Sequence, residues 1–462
     1  MKTQSLLTRV AYALRVHRVA SFFALFSVTT TFAGTKNASG FVAHEWGTFT
    51  SVQGADGVLL PWRPLQTAEL PKFVYAWSHP GYNRAAAGQL LYGKGMMVTL
   101  QRMETPVIYF YSDEEITADV TVRFPQGTIT EWYPQARRIG PAIQQAPPFV
   151  SRLDAGAHKV GANPGFSFAS WLPQHAAKDS RIVWSGVKVL PAKRHPELAA
   201  AVPMDKSGSH YFAARETDAD FVSVDYGSQT NSPVEYERFL FYRGAGSFAT
   251  PLGVTVNTTN NLVLTNSGSD PLRHLFVLRV RDGLAQFTWL EKLDAGDRIT
   301  VPFVPVDRAQ AVIASELAGK MISALTGTGL YPREAKAMVD TWRDSWFAED
   351  GLRVLYLLPG AWTRGTLPLE IRPQPREVIR VMVGRAEVIT PEVETRLQTE
   401  LTKAQSGDKQ ARSRALADLR KLGRFAEPAM RRIVSQTADE KVSQLGWQLL
   451  QIAFNPPARS AL

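Results

Sequence analysis

Short apolar runs separated by turn residues extend from Phe41 to about Pro305, and they constrain the fold more than any other feature of this sequence. The clearest run is FVAHEWGTFTSVQGADG, at 41–57. Its near-alternate positions carry Phe41, His44, Trp46, Thr48 and Thr50. Such alternation predicts a half-buried strand, and Asp56-Gly57 predicts the turn that ends it.

Similar strand-like runs recur through the body of the chain, which we assign to residues 34–306. They lie at 96–101, 105–111, 118–124, 181–189 and 236–242, with predicted hairpins at 254–264 and 274–290. Many short strands without intervening helices predict a mainly β fold with an antiparallel, sandwich-like body. The body forms either one unit or two modules, and the boundary is then expected near 135–165, a stretch rich in Pro, Gly and Ala.

The pattern changes after residue 306. A helical pair is predicted for 307–349, because Pro332 suits a first helical turn and Met338, Trp342 and Trp346 recur every four residues. The segment 350–389 returns to strand-like runs at 352–358 and 378–383, which we expect to rejoin the β body.

The last segment, 390–456, is predicted to be helical. Its run RSRALADLRKLGRFAEPAMRRIVSQTADEKVSQLGWQLLQ resembles a HEAT-type helical repeat. The resemblance implies a surface for protein contact and no catalysis. A single repeat cannot bury both of its faces, so it must dock on the β body or stack on a partner.

The β body carries HEWGTFTSVQGADG, METPVIYFYS, ITEWYP, ERFLFYRG and VMVGRAEVITPE. These stretches resemble a set of predicted exported bacterial proteins that have no assigned function. The resemblance covers most of the chain after the first 33 residues, but it transfers no activity.

Residues 1–33 have the order of zones found in a secretory signal peptide. Four cations precede an apolar run at 19–28, and Thr31-Phe32-Ala33 supplies small residues for cleavage. The run is about half of the roughly 20 residues that a membrane span needs; the alternative is a short buried helix. We expect export by the general secretory route to the periplasm or the exterior, and no later stretch reaches transmembrane length.

Composition excludes several kinds of chemistry. The sequence contains no cysteine, which rules out disulfides, thiolate nucleophiles and zinc-thiolate sites. The formal charge is +10, but the cations are spread out and no basic run is interleaved with aromatic residues, so nucleic acid is not an expected partner.

Sites for cofactors and metals are not predicted either. Gly88 to Lys94 fits seven positions of a phosphate-binding loop, but Gly95 replaces the hydroxyl residue that would hold magnesium. Ser207-Gly208-Ser209-His210 lacks the elbow of a serine hydrolase and suits a turn. The histidines after residue 33 do not have the spacing of a zinc site.

Carboxylates beside aromatic or strand-entry residues are the remaining candidates. They are Glu45 before Trp46, Glu131 before Trp132-Tyr133, and Glu104 before Thr105-Pro106. Paired carboxylates cleave glycosidic bonds, and the aromatic faces of Trp46, Trp132 and Tyr133 could hold a sugar ring. In the alternative, these aromatics are core anchors, and the acids pair with arginines such as Arg102, Arg137 and Arg138.

His44 is a further catalytic candidate. Side chains of neighbouring strand residues leave the backbone on opposite faces, so His44 and Glu45 cannot share a site unless a bulge intervenes at Gly47. Two hypotheses stay open. One is a non-catalytic envelope protein that binds a polysaccharide or another envelope protein; the other is a carbohydrate-active hydrolase that uses two of Glu45, Glu104 and Glu131 in one aromatic-lined cleft.

Overall fold

Strand β1 (Ala38–Gln53) lies in the interior of a ten-stranded sheet, and the other elements are arranged around it. The computed structural model describes residues 38–454 except 66–69, 78, 80, 82–96, 141–178, 206–208, 227–233, 304 and 406–407. The predicted signal peptide, the loop at 88–95, and most of the boundary expected near 135–165 lie outside the described residues. Lys36–Leu462 forms one compact unit.

The elements follow in chain order. The other strands are β2 (Tyr75–Ala76), β3 (Gln101–Tyr111), β4 (Ile116–Phe124), β5 (Gly127–Tyr133), β6 (Arg138–Gly140), β7 (Ser180–Leu190), β8 (Phe221–Val224), β9 (Glu235–Glu237), β10 (Leu240–Gly246), β11 (Leu252–Val256), β12 (Leu262–Asn266), β13 (Leu272–Arg281), β14 (Leu284–Leu293), β15 (Arg298–Val301), β16 (Arg308–Ala309), β17 (Gly351–Leu357), β18 (Leu369–Arg372) and β19 (Pro375–Val388). The α-helices are α1 (Gln310–Gly327), α2 (Pro332–Phe347), α3 (Gly360–Thr366), α4 (Pro391–Gln405), α5 (Lys409–Lys421), α6 (Ala426–Gln436) and α7 (Glu440–Phe454). Short 3₁₀ segments lie at Pro196–Ala200 and His210–Arg215.

Within the described residues the strands form three sheets, which confirms the predicted mainly β fold with added helices. The large sheet has the order β16-β14-β13-β17-β19-β1-β3-β10-β5-β2. The second sheet has the order β18-β4-β7-β8-β9, with β6 paired to β7, and the third is β11-β12-β15.

One strand pair differs from the predicted antiparallel arrangement. β1 and β19 run parallel, with Trp46 opposite Val381, whereas β1 pairs with β3 in the antiparallel sense. Parallel neighbours need a long crossover connection, and the whole body of the chain separates these two strands in sequence.

The second and third sheets cover one face of the large sheet in a sandwich-like layer. Phe41 and Phe110 stack there with ring centroids 5.8 Å apart, and they share a buried core with Val120 and Trp184 of the second sheet. Interdigitating apolar side chains between facing sheets are the main stabilising contact of such a layer.

Helices α1 and α2 cover the opposite face, which confirms the predicted helical pair. Trp46 and Tyr109 of the large sheet pack in one core with Met338 and Trp346 of α2. Because both faces of the sheet are covered, β1 is buried throughout 41–53. The predicted half-buried strand is therefore wrong in its degree of burial.

Most other strand predictions are confirmed, including both hairpins, which form β11 with β12 and β13 with β14. The segments at 352–358 and 378–383 rejoin the large sheet within β17 and β19. Two predictions need correction. The strand expected at 96–101 begins only at Gln101, and the run at 236–242 is divided between β9 and β10, because these two strands join different sheets.

The C-terminal helices α4 to α7 dock on the β body. Their core includes Leu401, Phe425 and Met430, and it is completed by Val52 at the end of β1 and by Trp62. The rings of Trp62 and Phe425 are 5.6 Å apart. This contact covers the face that a single repeat cannot bury by itself; membership of the HEAT type stays a prediction.

No helix among the described residues has both the length and the apolar character needed to cross a membrane.

Candidate functional site

A cavity of about 260 Å³ lies where the large sheet, helix α2 and the C-terminal helices meet. Strand β3 contributes Arg102 and Glu104 to its wall, β10 contributes Arg243, and α2 contributes Trp342. Arg424, from the connection between α5 and α6, completes the wall from the other side. Three guanidinium groups therefore line one small cavity.

A bulge in β3 places Arg102 and Glu104 at this wall. Trp46 of β1 lies opposite Val107, but Thr48 lies opposite Glu104, so β3 carries one extra residue here. Thr105 takes the extra position with a φ of 46°, and Pro106 follows it. Proline has no N–H for regular pairing, which favours a bulge at this point. The bulge considered at Gly47 as a condition for His44 and Glu45 to share a site is thus in the partner strand, opposite Gly47.

Arg102 is buried without adequate hydrogen-bond partners. Its Nη1 lies 3.1 Å from Oε1 of Glu104. Three buried atoms nevertheless form no hydrogen bond: Nη1 and Nε of Arg102, and Oε1 of Glu104. Burial lowers the pKa of Arg102 to about 10; Glu104 opposes this change, and the nearby positive charges of Arg243 and Arg424 reinforce it. Like charges held together in this way favour an added anion.

Arg243 is held in place by Glu131 on the neighbouring strand. The Nε and Nη2 atoms of Arg243 donate to the two carboxylate oxygens of Glu131 at 3.0 and 2.6 Å. Both side chains are almost fully buried. Such a two-point contact fixes the guanidinium plane, so Arg243 is a rigid part of the wall.

Glu349, just after α2, joins the sheet to the C-terminal helices. It accepts a hydrogen bond from Arg385 of β19 at 2.7 Å and one from Arg424 at 3.3 Å. Arg424 follows Gly423, whose φ of +76° ends α5 in a conformation that a side chain disfavours and turns the chain toward the cavity. The position of Arg424 therefore depends on the docking of the helical segment.

The charge network continues away from the cavity. Arg385 donates from Nε to Oε1 of Glu387 at 2.6 Å, and Arg353 lies 2.8 Å from the same oxygen. Glu387 and both arginines are nearly inaccessible to solvent. Ion pairs thus extend from the cavity wall through β19 to β17.

The predicted catalytic residues are distributed over both faces of the large sheet. Glu104 lines the cavity, and Glu131 lies behind Arg243 as its ion-pair partner. Glu45 points to the sandwich face, where it accepts from Tyr242 at 2.6 Å and from Arg380 at 2.5 Å. Glu45 and Glu104 therefore do not share a cleft.

His44 occupies the helix-covered face but does not line the cavity. Its Nδ1 lies 2.7 Å from Oε2 of Glu334 on α2, while its Nε2 is buried without a hydrogen-bond partner. As expected from strand geometry, His44 and Glu45 point to opposite faces. The sequence thus placed His44 and Glu45 correctly with respect to each other.

The three predicted sugar-binding aromatics are core residues. Trp46 and Trp132 are 0% exposed and Tyr133 is 3% exposed. Trp132 packs against Trp77 and Tyr133 packs against Phe73. No ring face is left for a sugar at these positions, which corrects that prediction.

Other polar groups at the cavity were not predicted as site residues from the sequence. Trp342 is buried, and its indole Nε1 has no hydrogen-bond partner. Ser209 and His210 line the cavity at the start of a 3₁₀ segment, where Ser209 caps the N–H of Tyr211 at 3.3 Å. No local pattern marks Arg243, Glu349 and Arg424, because they converge from distant parts of the chain.

The described residues contain no group of three or more His, Asp or Glu side chains that could hold a metal ion. A comparison of the sequence with protein-family models and with curated proteins finds no match.

Proposed function

We propose that this chain is an exported, non-catalytic binding protein that recognises an acidic polysaccharide through the arginine-lined cavity. The single observation that carries the proposal is the buried Arg102, whose Nε and Nη1 lack hydrogen-bond acceptors while Arg243 and Arg424 line the same cavity. Buried donors without acceptors are costly, and an oxyanion supplies the acceptors that they lack.

The size of the cavity supports recognition of one sugar unit rather than a whole polymer. About 260 Å³ is below the roughly 300–1,000 Å³ of typical small-molecule sites. A terminal or protruding acidic residue of a glycan would enter the cavity, and the rest of the polymer would stay outside.

The state of the carboxylates favours binding over hydrolysis. A glycosidase needs one carboxylic acid with a raised pKa to protonate the leaving group. Glu45 and Glu131 are each in a buried ion pair with an arginine, so both carboxylates already have a fixed partner inside the protein. Glu349, the second carboxylate at the cavity, has its pKa lowered by Arg385 and Arg424 although burial acts to raise it.

The expected signal peptide supports export of the proposed binding protein to the cell envelope, and the resemblance of 390–456 to a HEAT-type repeat supports contact with another protein there. In this view the helical segment completes the cavity by supplying Arg424.

A glycan array that contains uronate-bearing, sulfated and neutral oligosaccharides tests the proposal with the purified chain. We expect binding to the acidic glycans only. Arg102→Met removes the fork that faces the ligand and should weaken binding by about 10- to 100-fold, because hydrogen bonds to charged groups are worth about 1.5–3 kcal/mol. Arg102→Lys should restore little, since a lysine cannot present two parallel donors.

Arg123→Met is the matched control, because Arg123 is exposed and paired with Asp179 away from the cavity. Its binding should equal that of the unmodified protein. Binding only to neutral glycans, capture of an envelope protein without any glycan binding, or release of reducing sugar from the array ligands would each overturn the proposal.

A further inference from the structure

We infer that the open edge of β14 pairs with the same edge of a second copy of this chain, so that the two large sheets become continuous across a two-fold axis at Leu290. This inference goes beyond the proposed function and does not depend on the cavity or its ligand. It follows from the backbone groups, the side chains and the charges of residues 287–291, which we call the β14 edge.

The backbone of β14 directs hydrogen-bonding groups away from its neighbour β13. The two strands turn at Asp282 and Gly283, which both have positive φ, and they keep one register as far as Leu293. In such a two-residue hairpin the residues that flank the turn bond to each other, and every second residue after them points its N–H and C=O outward. The outward residues of β14 are Ala285, Phe287, Trp289 and Glu291.

Strand β16 covers only the beginning of this side. Arg308 pairs with Ala285, and beyond that point no strand among the described residues pairs with the outer side of β14. The N–H of Phe287 donates to the side chain of its neighbour Gln286 at 3.1 Å, as expected for a group that does not bond to β13. Exposed edges are usually blocked by a proline or a bulge, and residues 287–291 contain neither. The β14 edge is therefore able to accept another strand.

A second copy of β14 fits this edge in one antiparallel register, centred on Leu290. Trp289, which is 42% exposed, then lies opposite Glu291 of the second copy, and the two leucines lie opposite each other. The outward N–H and C=O groups of Trp289 and Glu291 exchange hydrogen bonds in this register. Strand β16 does not obstruct the pair, because Ala285 would lie opposite Ala295, which is beyond the end of β14.

The charges beside the edge are complementary in the same register. The Nζ of Lys320 on α1 lies 5.3 Å from the ring centroid of Trp289. Lys320 and Glu291 are both exposed, and neither forms an ion pair with a described residue. Opposite side chains of paired strands have Cβ atoms about 4.5–5.5 Å apart, so Glu291 of the second copy reaches Lys320 beside Trp289. The two-fold axis produces this ion pair twice.

Sedimentation velocity of the whole protein over a range of concentrations measures the equilibrium between monomer and dimer. Lys320→Glu and Glu291→Lys should each raise the dissociation constant of the dimer by about tenfold, because each change brings like charges together twice. The double variant restores opposite charges and should return the dissociation constant to within about threefold of that of the unmodified protein. Lys188→Glu, at an exposed lysine on β7, is the matched control and should have no effect.

Amide hydrogen exchange tests whether the β14 edge is the interface. Peptides that contain residues 287–291 should exchange quickly when the protein is monomeric and become protected when it is dimeric. The reason is that the N–H groups of Trp289 and Glu291 gain acceptors only in the pair. Peptides from β7 should exchange equally in both states.

Four results would each overturn the inference. They are a protein that stays monomeric up to about 0.1 mM, a dimer in which 287–291 exchange as in the monomer, a double variant as weakly associated as the single variants, and equal protection of 287–291 at every concentration. The last result would mean that another segment of the same chain covers the edge. None of these measurements involves a glycan, so their outcome is separate from that of the proposed function.

Discussion

His44 of β1 and Glu334 of α2 lie 2.7 Å apart across 290 residues of sequence, and both side chains are at most 1% exposed. Glu334 also accepts from the hydroxyl of Tyr111 at 2.7 Å and from the backbone N–H of Tyr331 at 2.8 Å. One carboxylate thus joins the helical pair to two strands of the large sheet.

Replacement of Glu334 by Gln should lower the free energy of unfolding by about 1–3 kcal/mol, because charged acceptors are lost in a buried site. Urea denaturation followed by circular dichroism measures the change. Asp344→Asn, an exposed acid-to-amide change on the same helix, should be neutral. Equal stability of the two variants would mean that Glu334 does not hold the helical pair on the sheet.

Substitution of Glu45 tests whether this residue has a structural role or the predicted catalytic role. Glu45→Gln removes the charge partner of Arg380, whose side chain is only 9% exposed, and should cost about 3 kcal/mol of stability. Ligand affinity at the cavity should stay unchanged, because Glu45 points to the other face of the sheet. Glu377→Gln, an exposed change on the same strand as Arg380, is the control. A stable protein with altered ligand binding would contradict this assignment.

Gly384 of β19 has no room for a side chain. A Cβ at this position would lie 2.3 Å from Cζ of Tyr356, which is paired with it on β17 and is 1% exposed. Gly384→Ala should therefore destabilise the protein by about 1–3 kcal/mol through overpacking, measured as a lower midpoint of urea denaturation.

Gly253→Ala is the matched strand control, because the nearest atom to its added Cβ is 3.8 Å away. Combining Gly384→Ala with Tyr356→Leu should give less than the sum of the two single effects, since the smaller side chain relieves the clash. Strict additivity would refute the proposed contact.

The ion pairs of Glu349 predict that the stability of the folded protein depends on pH. Burial favours the neutral acid, but Arg385 and Arg424 outweigh it and lower the pKa of Glu349 below its ordinary value of 4.5. A carboxylate with a lowered pKa in the folded state contributes stability above its unfolded pKa, and this contribution is lost as the pH falls through the folded pKa.

Glu349→Gln should therefore cost about 1–2 kcal/mol near neutral pH, a value reduced by solvent screening because the side chain is 36% exposed. The difference from the unmodified protein should shrink as the pH falls below 4.5. Urea denaturation at a series of pH values measures it. A difference that stays constant down to acid pH would show that ionisation of Glu349 is not involved.

Local sequence patterns predicted the fold correctly where the alternation of the strands and the turn between them were both encoded in neighbouring residues. The hairpin of β13 and β14 is an example, since alternation on both sides of Asp282-Gly283 defines the two strands and their turn. The pattern at 236–242 did not reveal that β9 and β10 belong to different sheets, because alternation records burial and not the identity of the partner strand.

By itself, the sequence determined the mainly β body, the helical pair, the helical C-terminal segment and the opposite directions of His44 and Glu45. Only the tertiary structure decided that Trp46, Trp132 and Tyr133 are core residues, and that Arg102, Arg243 and Arg424 meet at one cavity. The physical reason is that strand and helix periodicity act over a few residues, whereas the cavity is formed by charges that approach one another only after the sheet, helix α2 and the C-terminal helices have packed together.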